Sequence, residues 1–195
     1  MALSANEKLE MINNAKEKLK KDGGSSDVIF KNATIWFKNF DGSRDRNGKR
    51  TFNILLKSDN YDAFDDDYIR ELADQGWNIK FSNRLNDDGE PLYVTIPVEI
   101  RFDRYPPEVV VISRGKRVDL NEDTIGELQG ASIDKINLRI GPRVWFDDKT
   151  ETCKVKAYLR KMHVYLRDMH DELDDELNAA IGDGSVDDLP FDIDE

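Results

Sequence analysis

Across most of residues 28–167 the apolar side chains recur at every second position, and this period of two limits the fold more than any other feature of the chain. Successive side chains of a strand point to opposite faces, so the pattern describes sheet with one dry and one wet side. The clearest run covers residues 93–102, where Val94, Ile96, Val98, Ile100 and Phe102 share one face and Tyr93, Thr95, Pro97, Glu99 and Arg101 the other. Pro97 has no N–H to give to a ladder, which predicts an edge strand or a bulge.

The same period organises the flanking segments. Ala33, Ile35 and Phe37 are predicted to point inward, against Thr34, Trp36 and Lys38 outward. The turn cluster that follows ends in Asn47-Gly48, a pair that tolerates positive φ, so Phe52, Ile54 and Leu56 should pair back as the second arm of a hairpin. Residues 61–75 read as a helix, with Phe64, Tyr68, Ile69 and Leu72 on one side and Gly76 as its stop, and Trp77 is expected in the core. A strand over 107–113, a short Asn-capped helix over 121–128 and a strand carrying Ile136, Leu138 and Ile140 follow. In the last run Val155, Ala157 and Leu159 share a face that Met162, Val164 and Leu166 resume one residue late, as a β-bulge would produce. Short strands, interrupting helices and a bent closing strand predict a mainly β fold with flanking helices: an OB-fold-like small barrel, with a β-sandwich as the alternative.

Both ends of the chain behave differently. Ser4-Ala5-Asn6-Glu7 is a capping box, and Leu9, Ile12, Ala15 and Leu19 follow at helical spacing. Residues 1–27 are therefore expected to form a helix and a Gly/Ser linker, the helix docking on the body or on another subunit, which leaves a homo-oligomer open. The net charge of −11 belongs to the other end: residues 168–195 hold 12 acids and no Lys or Arg, whereas residues 28–167 hold 24 basic and 23 acidic side chains. Met169, Leu173 and Leu177 continue at helical spacing, and the stretch from Val186 is too short and charged to bury anything. The expected domains are thus 1–27, a body over 28–167, and an acidic helix with a disordered tail over 168–195. The single Cys153 fits a reducing compartment, and the absence of a long apolar run or signal-like start predicts a soluble, cytoplasmic protein that contacts no membrane.

Functional candidates concentrate on the wet faces. Opposite the apolar row of the last strand lie Lys154, Lys156, Tyr158 and Arg160, three cations and a ring in one line. Cations follow phosphates and flat rings stack on bases, which is what an unpaired strand requires. Trp36 and Lys38, the turn residues Arg44, Arg46, Lys49 and Arg50, and Arg139, Arg143 and Trp145 around Gly141-Pro142 extend the same chemistry. No catalytic residues, metal site or cofactor are expected: Asp65-Asp66-Asp67 and Asp87-Asp88 lack the spacing of a calcium loop, and His163 and His170 have no partner at metal-ligand spacing. The segment Asp187-Asp188-Leu189-Pro190-Phe191 offers a stiff apolar anchor within an acidic run, suited to a pocket with basic walls on a protein partner. A protein-interaction or virion-associated module that does not bind nucleic acid is the alternative.

At these residues the chain resembles phage-encoded single-stranded DNA-binding proteins of the OB-fold type. The matching stretches are Ile35-Trp36-Phe37-Lys38-Asn39-Phe40 through Asn47-Gly48-Lys49-Arg50-Thr51-Phe52, then Gly76-Trp77-Asn78-Ile79-Lys80, Ser113-Arg114-Gly115-Lys116 and Val155-Lys156-Ala157-Tyr158-Leu159. The resemblance implies sequence-independent binding of single strands in phage DNA replication or recombination, in the host cytoplasm. The tip is similar to the acidic Pro-Phe end of bacterial and phage single-strand binders, which implies recruitment of replication or recombination proteins. Here Asp192-Ile193-Asp194-Glu195 continues past Phe191, whereas the bacterial tip ends at its Phe.

Overall fold

The computed structural model describes residues 3–20, 26–59, 61–62 and 64–167. The acidic segment 168–195, its tip at 187–191 and most of the Gly/Ser linker lie outside the described residues. The predicted N-terminal helix is present as α1 (Ala5–Lys18), and both halves of the capping box form: the Glu7 N–H donates to Ser4 Oγ, and the Ser4 N–H donates to Glu7 Oε2 at 2.7 Å. The helix lies against the sheet through contacts in which Lys8 bonds Asp148 and sits 5.4 Å from the Phe146 ring centroid. Its stripe is rotated from the predicted one: Leu19 is buried, but Leu9 is 56% exposed.

The body is one hydrogen-bonded sheet. Its strands are β1 (Val28–Phe30), β2 (Ile35–Asn39), β3 (Arg50–Ser58), β4 (Tyr61–Asp62), β5 (Lys80–Phe81), β6 (Tyr93–Ile100), β7 (Glu108–Ser113), β8 (Lys116–Leu120), β9 (Ile133–Asp147) and β10 (Thr152–Leu166). The main path runs β1-β9-β10-β6-β3-β2, with β4 on β3, β5 on β6, and the β7–β8 hairpin on β10. Most pairs are antiparallel; β10 runs parallel to β6 and to β7. The two ends of the path, β1 and β2, are neighbours in the chain, and the segment between them bonds both ways: the Ala33 N–H donates to Ile136 O on β9 and the Leu55 N–H of β3 donates to Thr34 O. A mainly β fold with two α-helices among the described residues results, an open mixed sheet over one core, consistent with the expected OB-like fold and with the sandwich alternative. Phe30, Phe52, Ile54, Ile96, Val98, Leu138, Ile140, Leu159 and Met162 fill that core.

The late register slip falls on β10 as predicted, with the pairing to β9 shifting between Leu159 and Lys161. Without it, Met162 and Val164 would turn to the wet side. Burying each is worth about 1.5–3 kcal/mol against about 0.5–1.5 for a lost ladder bond, so the bulge wins. Both residues are fully buried.

Several predictions change once the strands meet. Pro97 lies on an interior strand, not an edge; β6 pairs β3 along its length, while on its other side β5 ends at Thr95 and β10 begins at Val98, so the proline falls where the partner changes. The helix predicted from 61 begins later, as α2 (Asp66–Asp74), because Asp65 caps it by accepting from the Tyr68 N–H at 2.7 Å and Tyr61–Asp62 pairs with β3 instead. Over 121–128, Asn121 Oδ1 accepts from the N–H groups of Asp123 and Thr124, and this tight turn leads into a 3₁₀ helix, Ile125–Gln129, not an α-helix. Phe37 does not point inward. The pairing of β2 with β3 shifts between Trp36 and Asn39, Phe37 takes φ 53°, and its ring is 52% exposed. Trp77 is buried as expected, its indole N–H donating to Gln75 Oε1 at 3.2 Å.

Candidate nucleic-acid interface

Strand alternation decides which side chains of β9 and β10 reach solvent. With Val155, Ala157 and Leu159 buried, Lys154, Lys156 and Tyr158 face outward, beside Trp145, Arg143 and Gly141 of the neighbouring strand in that order. The Nζ atoms of Lys154 and Lys156 lie 5.9 and 5.5 Å from the Trp145 ring centroid. A ring flanked by two ammonium groups can stack on a base while the cations meet the phosphates to either side. Arg160 is the extra residue of the bulge and crosses Gly141 so closely that a Cβ there would stand 2.3 Å from Arg160 Nε.

The register carries this face across the sheet. One row runs from Trp36 to Asn53 to Pro97; stepping one residue along from the Val98 and Ala157 pair, it continues to Lys156 and Arg143. A second row runs Asn39, Thr51, Glu99, Tyr158, Gly141. Residues 40–49 leave the sheet at the end of this second row and hold Arg44, Arg46 and Lys49, all exposed. Asp41 lies beside them, its carboxyl held below the usual range by hydrogen bonds from the Ser43 N–H and hydroxyl.

At the Tyr158 end a cavity of about 390 Å³ opens, lined among others by Arg101, Arg104, Tyr105, Arg143, Tyr158 and Arg160. Arg101 sits 5.1 Å from the Tyr158 ring centroid and donates to Glu99 Oε1 at 2.6 Å, a bond that raises the guanidinium's pKa above its ordinary value. Lys154 is held in turn by Asp147, whose carboxyl is pushed below the usual range chiefly by that hydrogen bond and further by the Lys149 N–H. Arg143, Lys156 and Arg160 have no acidic partner among the described residues, so their charge is available to a ligand.

Of the predicted site residues, the fold thus brings together Arg143, Trp145, Lys154, Lys156, Tyr158 and Arg160, with Trp36 farther along the same outward side. Three others are drawn off by internal bonds. Lys38 follows the bulge away from the face and donates to Ala131 O at 3.2 Å. Arg50 is spent on Glu122, through its carboxylate at 2.9 Å and its carbonyl at 3.2 Å. Arg139 pairs with Asp27 at 2.9 Å and ties the segment before β1 to β9. The acidic run at 65–67 has structural work: Asp65 caps α2, Asp66 takes Lys57 and Asp67 takes Arg70.

The sequence reading missed Arg101, Arg104, Tyr105 and Phe37. Arg101 was legible as an outward residue of the clearest strand; Arg104 and Tyr105 come from an irregular segment with no period to read. Phe37 and Tyr93 join Trp36 in a ring cluster, with Trp36 to Tyr93 at 5.5 Å, Phe37 to Tyr93 at 5.7 Å and Trp36 to Phe37 at 6.1 Å between centroids.

No curated protein sequence matches the chain. Similar solved structures include the single-stranded DNA-binding protein from bacteriophage Enc34 in complex with ssDNA, at 14% identity and TM-score 0.46 over 73% of this chain and 87% of that one. Another is gp2.5, a single-stranded DNA binding protein encoded by bacteriophage T7, at 13% identity and TM-score 0.39 over 77% of this chain and 93% of that one. A family model described as "Putative phage ssDNA-binding domain" matches residues 19–190, which takes in the whole sheet and the face just described. The chain belongs to this family of phage single-stranded-DNA-binding domains.

Proposed function

We propose that the outward face of β9, β10 and β6 holds unpaired DNA, largely regardless of sequence and without catalysis, during phage DNA replication or recombination. The observation that carries this is the grouping of Trp145 with Lys154, Lys156, Arg143 and Tyr158 on one side of two paired strands. Rings take the bases and cations take the phosphates, while the sheet beneath keeps their spacing fixed. Family membership supports the ligand class. In this proposal residues 28–167 are the binding body, residues 1–27 an accessory helix and linker, and residues 168–195 a tail whose Asp187-Asp188-Leu189-Pro190-Phe191 tip recruits replication or recombination proteins in the host cytoplasm.

Titrating the full chain into a labelled oligo-dT strand and into its duplex, at matched salt, tests the reading. Tighter binding of the single strand is expected; equal affinities would remove base stacking as the basis. The joint variant Lys154→Ala, Lys156→Ala, Tyr158→Ala should lose retention of the strand. Removing residues 184–195 should tighten binding most visibly at low salt, because a tethered polyanion competes with DNA for the same cations; unchanged affinity would exclude that competition.

A further inference from the structure

Phe37 combines two features that folding alone does not reward. Its φ of 53° lies in the left-handed region, where a bulky side chain is an outlier, and its ring is 52% exposed. The bulge between Trp36 and Asn39 turns the side chain from the core to the outward side. There it meets Trp36 nearly edge-on, at an interplanar angle of 86°, and tilts at 52° to Tyr93. An outlier of this kind in an ordered strand is a pointer toward function. The cluster is continuous with the proposed interface, since Trp36 lies in the row that passes through Asn53 and Pro97 to Lys156 and Arg143.

We infer that Phe37 is the outermost ring of a second stacking platform, built with Trp36 and Tyr93, that takes an unpaired nucleobase of the strand held at Trp145. This rests on the single-strand reading above. Counting strand spacings from β2 to β9, the two platforms stand roughly 19 Å apart at about 4.8 Å per strand, so one strand of DNA can span both. The platform contributes stacking and no charge from Phe37 itself, so its effect does not depend on salt.

The test uses the full chain, a labelled oligo-dT strand, and the variants Phe37→Leu, Phe37→Tyr and Phe37→Gly. Leu and Gly should weaken binding roughly 5- to 150-fold, the loss of one base-to-ring stack, at an unchanged salt slope. Tyr should keep wild-type affinity. Gly accepts positive φ, which offsets its unfolded-state entropy and the lost ring contacts, so the Phe37→Gly melting temperature should stay close to wild type, which separates a binding loss from a folding loss. Wild-type affinity in Phe37→Leu, alongside a wild-type protein that binds, overturns the inference and leaves the proposed function standing. So does a loss confined to self-association of the chain. A wild-type protein that ignores the strand removes the proposed function and the inference with it.

Discussion

Replacing Arg143, Lys156 and Arg160 together by Gln gives the sharpest test of how the face meets DNA. These are the cations of the β9–β10 face with no acidic partner among the described residues, whereas Lys154 is held by Asp147 and Arg101 by Glu99. Each free cation that neutralises one phosphate of a single strand contributes about 0.7 to the log-log slope of affinity against salt, so the triple variant should lose about 2.1. Over a fourfold change in salt, from about 50 to 200 mM, that difference corresponds to roughly an 18-fold change in the ratio of wild-type to variant affinity. Fluorescence anisotropy with labelled oligo-dT across the salt series measures both slopes. Arg70→Gln, an exposed α2 residue paired with Asp67, serves as a control and should leave the slope alone. A triple variant with the wild-type slope would show that phosphates do not lie along this face. A uniform loss at every salt concentration would instead assign these arginines and the lysine to packing.

Asp147→Asn should tighten single-strand binding at neutral pH and steepen the slope by about 0.7, since it frees Lys154 and removes an anion from the face; weaker binding would mean that Asp147 positions the lysine. Because its carboxyl is held below the ordinary value, the Asp147 contact adds stability that is complete above the unfolded carboxylate pKa and fades as pH falls through the lower folded value. The stability difference between wild type and Asp147→Asn should therefore be constant above about pH 4 and shrink below it, which acid unfolding of the two measures. Gly141→Ala should displace the Arg160 guanidinium, because the new Cβ would stand 2.3 Å from its Nε; single-strand affinity should fall with little change in melting temperature. Asp65→Ala removes the cap of α2 and should cost about 1 kcal/mol in urea unfolding while leaving DNA binding intact.

The alternation of Val94, Ile96, Val98 and Ile100, and the late return of Met162 and Val164, were readable because burial enforces a period that any single strand must obey. Lys154, Lys156 and Tyr158 followed from the same rule applied to the opposite face. The chain alone could not reveal which cations would be spent: Arg50 is 72 residues from Glu122 and Arg139 is 112 from Asp27, separations no local pattern spans. Pro97 illustrates the same limit, since a missing N–H marks a break in pairing but not whether the break is an edge or a change of partner.

Local sequence therefore determined the long strands β3, β6 and β10 with their dry faces, the α1 cap and the division of charge, all of which depend on neighbours a few residues apart, whereas the short strands β4, β5 and β8 carry too few residues to show a period. Tertiary structure decided that β1 and β2 join opposite ends of one sheet path, that Phe37 turns outward, and that Trp36 and Trp145 share a side of it. Those outcomes depend on register between distant strands, where a shift of one residue exchanges the buried and exposed faces.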